Sequence, residues 1–214
     1  SAADKAFAPQ PDLVTDDPSL PAGTVRVTVV DADGEPIPRA PITLESVRVP
    51  QMAAKLDVLV EDSAIADDHG VAVFRKRRMD EGVRQVASTR RGSGAFGVTP
   101  FELDPRVGKR VLLHAYETVS ALENARVGVQ VATYLTLRAD KIEVQVLYNF
   151  FNLDRTAWVP TQVRVAFPPL VSGFVAHDLG NAVRVDDISA AGFSLVGIVS
   201  PGKSELDYAY EIPR

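Results

Sequence analysis

Few residues in this chain of 214 are equipped for chemistry. Cysteine is absent, which excludes thiolate nucleophiles, disulfides and cysteine metal sites together. The three histidines, His69, His114 and His177, stand far apart, and no HExxH joins any of them. His69, beside Asp67 and Asp68, reads first as a turn residue and second as a member of a weak surface metal site. His114 falls on the strand face opposite Val111 and Leu113, which predicts an exposed or inter-domain ring rather than a general base. Serine chemistry has no better footing, because Ser93 has Arg91 rather than glycine two positions before it and no GxSxG elbow exists. Asp186 and Asp187 are adjacent, so on a strand they point to opposite faces and cannot share a substrate.

Two glycine-bearing stretches imitate ligand loops. Gly92, Gly94 and Gly97 match GxGxxG, with Glu117 lying 20 residues beyond the last glycine. A dinucleotide site needs those amides at a helix N-terminus. Val98, Thr99, Pro100 and Pro105 make the following stretch non-helical, so a mobile loop is expected instead. Asp31, Asp33, Gly34 and Glu35 resemble part of a calcium loop, but residues 36–40 supply no ligand side chain and turn chemistry accounts for the acids. No catalytic residue, metal site or cofactor is expected.

Two surface features remain as candidate binding sites. Arg75, Lys76, Arg77, Arg78, Arg84, Arg90 and Arg91 form a basic stretch, expected across one hairpin, in a chain whose net charge is -5. It reads as a solvated face or as a docking patch for an acidic partner or polyanion. The second feature is aromatic. Tyr134 and Phe151 fall on the strand faces opposite the main apolar sets, and Trp158 sits in TAWVP. Together they read as a stacking platform for a sugar ring or as a seam between domains.

The elements that must position these residues are strands. Residues 1–23 carry Pro9, Pro11, Pro18 and Pro21 with no sustained period and are expected to be an extended tether. Val25, Val27 and Val29 alternate with Arg26 and Thr28, Asp33-Gly34 ends that strand, and Ile42 and Leu44 resume the alternation after three prolines. Residues 46–56 fit either a β-edge broken at Pro50 or a short helical turn. Strands are also expected at 57–60 and 71–74, around the turn 67–70, and at 111–115, giving about six or seven before Tyr116.

In the second half Val127, Val129, Val131, Thr133, Leu135 and Leu137 share one face of a long strand, and Ile142, Val144, Val146, Tyr148 and Phe150 share one face of the next. A two-residue loop, Ala139-Asp140, pairs Leu137 with Ile142 and keeps both apolar sets on the same side. Further short strands follow, and Pro201-Gly202 make a type II turn before a closing strand. No long amphipathic helix is present. The expected class is all-β, with two β-sandwich domains in tandem: a linker at 1–23, one sandwich at 24–116 and a second antiparallel sandwich at 117–214.

Asp33-Gly34, Pro36-Ile37, Ala40, Ile42 and Leu44, then Asp67 and Gly70 ahead of residues 71–74, resemble the carboxypeptidase regulatory-like domain, a transthyretin-like β-sandwich. The resemblance covers roughly residues 23–116 and implies a non-catalytic module of exported or surface proteins. Related pilin-type sandwiches that form internal isopeptide bonds begin with a lysine-bearing strand. Here Arg26 stands in TVRVTVV, and a guanidinium is not that nucleophile, so no self-made crosslink is expected. The second half, with GVQVATYLTLRADKIEVQVLYNFFN, AWVP and PGKSELDYAYEIP, is similar to the region that follows such modules in exported proteins of predatory and gliding bacteria.

These readings converge on a non-enzymatic, exported structural or interaction protein, periplasmic or on a bacterial cell surface, whose long hairpins and sheet edges contact another protein. A carbohydrate-binding module using Trp158, Tyr134 and Phe151 is the alternative, and an enzyme with an unrecognised site comes third. A pI of about 5.2 disfavours nucleic acid as a partner. No apolar run approaches the roughly 20 residues of a membrane helix, so this segment is not expected to insert.

Overall fold

The computed structural model describes residues 7–48, 57–177 and 182–214. The chain forms two compact units, one of residues 10–117 and one of residues 118–214 together with residues 7–9. Both are built from strands, and the fold is all-β.

The first unit contains β1 (Leu13–Asp17), β2 (Val25–Val30), β3 (Pro41–Arg48), β4 (Asp57–Ile65), β5 (Val71–Phe74), β6 (Val83–Arg91), β7 (Gly94–Gly97) and β8 (Gly108–His114). They make two four-stranded sheets, ordered β1-β8-β2-β5 and β4-β3-β6-β7. Period-two alternation decides what faces inward: Val25, Val27 and Val29 of β2 are fully buried, while Arg26 and Thr28 lie on the other face. Val111 and Leu113 of β8 extend that inner layer, and Ile42, Leu44, Val47 and Ala87 supply the layer from the other sheet. A register shift after Ser46 turns both Ser46 and Val47 inward.

Side-chain acids shape the connecting turns. Asp31 accepts from the backbone N–H of Asp33 and Glu35, and Asp67 accepts from those of His69 and Val71. These carboxylates are therefore committed to turns. Gly70 has φ +71, and a Cβ there would sit 2.7 Å from the Val29 carbonyl oxygen, so the turn requires glycine.

Two expectations are corrected in this unit. Within the stretch read as a tether, β1 is a true strand, antiparallel to β8 from Leu13 opposite Leu112 to Asp17 opposite Gly108. Its partner lies almost a hundred residues away, which local sequence does not reveal. His114, expected to be an exposed or inter-domain ring, is not exposed: it is buried, with Asp12 just ahead of β1 against it, whose carboxylate accepts from the His114 backbone N–H at 2.7 Å and faces Nδ1 at 2.9 Å. Further along, Asp16 pairs with Lys109 at 2.5 Å and Asp17 with Arg110 at 2.7 Å. Three acids thus fasten β1 to β8.

The second unit contains β9 (Thr118–Val119), a 3-10 turn (Leu122–Asn124), β10 (Val127–Leu137), β11 (Lys141–Asn152), β12 (Ala157–Trp158), β13 (Arg164–Ala166), β14 (Ser172–Ala176), β15 (Val183–Ser189), β16 (Gly192–Gly197) and β17 (Gly202–Pro213). Its sheets are ordered β10-β11-β17-β14 and β13-β16-β15, with a small parallel pair β12-β9. Leu137 lies opposite Ile142, the expected hairpin register, and β11 pairs with β17 without a slip from Lys141 to Asn152. Val144, Val146, Phe150, Leu206 and Tyr208 from the wide sheet pack with Val183, Phe193 and Leu195 from the narrow one. A Cβ on Gly192 would come 2.0 Å from the Val165 carbonyl oxygen, so β13 and β16 approach closely only because that position is glycine. Residues 49–56, where the ambiguous segment ends, lie outside the described residues.

The Asp17 carboxyl is held down to about 2, first by the Ser19 hydroxyl and then by the Arg110 guanidinium. A carboxyl depressed on folding contributes stability above its unfolded pKa near 4 and loses it as pH falls toward 2. Asp17→Asn is expected to lower the urea midpoint at pH 7 and to leave it close to the parent's at pH 2. Equal losses at both pH values would contradict this.

Candidate functional site

The basic stretch does not form one hairpin face. Residues 75–82 are a connection that carries the chain from β5 in one sheet to β6 in the other, and only β6 and β7 form a hairpin. Gly92 and Gly94 belong to that hairpin, so the GxGxxG stretch is strand and turn, not a helix-capping loop. The cations disperse accordingly. Arg78 pairs with Asp80 at 2.7 Å, Arg84 with Glu102 at 3.3 Å, and Arg91 with Glu117 and the Ala115 carbonyl. Arg75, Lys76 and Arg90 are exposed.

Arg77, a candidate surface contact in the sequence, lies in the interior with 7% of its surface exposed. Its guanidinium donates to the Ser46 hydroxyl at 2.9 Å and the Leu44 carbonyl at 3.3 Å, and faces Asp62 at 3.4 Å. Ser46 in turn donates to Gln85 Oε1 at 2.9 Å, and Gln85 Nε2 donates to the Arg78 carbonyl at 3.0 Å. Burial pulls the arginine below its ordinary pKa, with Asp62 opposing that shift. Arg77 is a clasp for the connection, and it cannot dock a partner.

The aromatic candidates separate as well. Trp158 is 4% exposed and belongs to the core of the second unit, its indole N–H donating to the Ser120 carbonyl at 3.2 Å. Its ring is therefore not exposed as a stacking platform. Tyr134 lies opposite Gln145, while Phe151, half-buried on the same face, is six positions further along β11, about 20 Å away at the rise of an extended strand. No common stacking surface results.

Tyr134 instead edges an open trough of about 390 Å³ on the outer face of the wide sheet. Tyr134, Gln145, Ala209 and Val175 lie directly across from one another on its four strands. Three of its polar residues are tied to neighbours on the sheet: Glu143 takes Arg138 at 3.0 Å, Glu211 takes Lys141 at 2.6 Å, and Gln145 donates to Asp207 at 3.1 Å. Among the described residues no cluster of histidines and acids is arranged to hold a metal, and no helix is long and apolar enough to cross a membrane.

The feature that sequence reasoning missed is the exposure of the apolar face of β10. The four-stranded sheet is wider than the three-stranded sheet facing it, and β10 is the strand left over. Val144 and Val146 on β11 are buried, yet on β10 Val129 is 51%, Leu135 65% and Leu137 66% exposed, although all share the inward face. β10 runs eleven residues without a charge or a proline, in unbroken register with β11. Among the described residues every other long edge is guarded. β4 carries Asp57, Glu61 and Asp62, β15 carries Arg184, Asp186 and Asp187 with a register shift, and β14 is broken by a bulge. The edges β1, β5, β7 and β13 are short, none longer than five residues.

No family model matches the chain, and no curated protein is significantly similar to it. Among solved structures, the major pilin SpaA of Corynebacterium diphtheriae, described as pointing to a modular pilus assembly with stabilizing isopeptide bonds, aligns at a TM-score of 0.30 and 9% identity. The alignment covers 89% of this chain and 58% of the pilin chain. That overlap is too slight to carry a role from one chain to the other.

Removing Arg77 takes one donor from the Ser46 hydroxyl and one from the Leu44 carbonyl in the interior and frees the connection it clasps. Arg77→Ala is expected to cost about 3 kcal/mol in urea unfolding, whereas Arg78→Ala leaves the midpoint near the parent's. Similar effects from both would contradict the assignment.

Proposed function

We propose that this chain is a non-catalytic assembly module that joins another protein by adding a strand to its second unit at β10. The unguarded, uncharged edge with an apolar row beyond the reach of the facing sheet carries this reading. A strand laid along β10 satisfies its outward-pointing N–H and C=O groups and sets its own alternate side chains beside that row. Such a partner segment is extended and apolar at every second position, because side chains on one face of a strand recur with period two. We assign the first unit, by the resemblance of residues 23–116, to the carboxypeptidase regulatory-like sandwiches, as a folded spacer. An exported, periplasmic or cell-surface setting in a bacterium follows from the same resemblance. The glycan reading loses its support with the burial of Trp158 and the separation of Tyr134 from Phe151.

A photo-reactive phenylalanine analogue placed at position 135 in the producing cell is expected to yield one discrete protein adduct. The same analogue at Val175, on the opposite edge of the same sheet and also half exposed, yields none. No adduct at 135, or equal adducts at both positions, would overturn the reading.

A further inference from the structure

The backbone fixes which groups of β10 are available. The Arg138 N–H donates to the Lys141 carbonyl at 2.8 Å, and at the other end of the hairpin the Leu153 N–H donates to the Arg126 carbonyl at 3.0 Å. Hydrogen-bonded and non-bonded pairs alternate along an antiparallel ladder. Even-numbered residues of β10 therefore turn their backbone groups toward β11. The odd-numbered residues, Val129, Val131, Thr133, Leu135 and Leu137 among them, turn theirs outward. These are also the residues of the exposed apolar row.

We infer that the occupant of this edge is β10 of a second copy of the chain, antiparallel across a two-fold axis at Thr133. The inference rests on the proposed edge assembly and names its partner. Three observations select a second copy. The strand is uncharged over its whole length, so it offers no electrostatic contrast by which a charged partner strand would be preferred. About Thr133, the exposed Tyr134 of each copy falls opposite the small Ala132 of the other, and the aliphatic row pairs Val131 with Leu135 and Val129 with Leu137. At the ends, the exposed Arg126 of each copy meets the exposed hairpin turn of the other at Asp140.

The neighbouring register about Ala132 pairs one more residue at each end but sets Arg126 against Arg138, and like charges directly opposite are unfavourable. The four-stranded sheet then continues into its symmetry mate as a single eight-stranded sheet, with an isologous contact that closes on itself. No further copy can add at the same edge, so the product is a dimer and not a fibre.

The chain has no cysteine, so Thr133→Cys introduces a lone thiol. Across the two-fold, hydrogen-bonded partners have Cα atoms about 5.5 Å apart, within disulfide reach. Two Leu137 residues lie eight pair positions apart, about 27 Å, and are out of reach. Sedimentation of the purified chain between roughly 1 and 100 µM is expected to show a dimer, with Thr133→Cys forming a disulfide-linked dimer on mild oxidation and Leu137→Cys forming none. Leu135→Lys places two lysines in the contact and is expected to raise the dimer dissociation constant on the order of a hundredfold. Emission from the buried Trp158 reports that each variant is folded.

A folded monomer throughout that range, in a protein whose position 135 still crosslinks to a different protein, would overturn self-pairing and leave the edge reading standing. A dimer insensitive to Leu135→Lys, with no disulfide at 133, would place the contact elsewhere and overturn self-pairing as well.

Discussion

A strand presents hydrogen-bonding groups on both sides, and a sheet is complete only where each side meets a neighbour or water. This requirement organises both units. In the first, the edges are short or charged, and the long β4 edge carries three acids. In the second, the wide sheet ends on eleven uncharged residues whose inward face has no opposing strand among the described residues. The same eleven residues are held in register by β11, itself paired with β17 over its full length. A rigid two-strand backing makes the free edge a defined template.

Polar groups in the interior do a different job. Ser46 and Gln85 occupy inward strand positions that alternation would assign to apolar side chains, and a hydrogen-bonded chain links them to each other and to Arg77. A buried guanidinium is costly alone, so its partners are as necessary as the arginine. Their effect is positional: the connection from β5 to β6 is tied to β3 and cannot drift. The acids in and just ahead of β1 act similarly at the other sheet, where Asp12, Asp16 and Asp17 each find a group on β8.

Much of the fold was legible because its signals are local. The valines of β2, the Asp67 turn before β5 and the Leu137–Ile142 hairpin register follow from period-two alternation and turn chemistry within a few residues. The misread residues depend on distant ones. β1 is a strand because β8 lies beside it, His114 is buried with Asp12 and Tyr116 against it, and Arg77 leaves the surface because Ser46 and Asp62 await it. Trp158 followed the same logic, since its burial rests on packing in the core of the second unit and on Ser120. The exposed face of β10 was hidden for a further reason: its alternation matches that of a buried strand, and only the number of strands opposite reveals the overhang.

Residue-resolved amide hydrogen exchange across β10 tests the open edge most directly. In dilute protein the account predicts alternation, with the amides of Val129, Val131, Thr133, Leu135 and Leu137 exchanging fast and those of Gln130, Ala132, Tyr134 and Thr136 slow. The alternation then disappears when a strand is added. Uniform protection of both sets in the dilute monomer would mean that the edge is already covered, and would contradict the account.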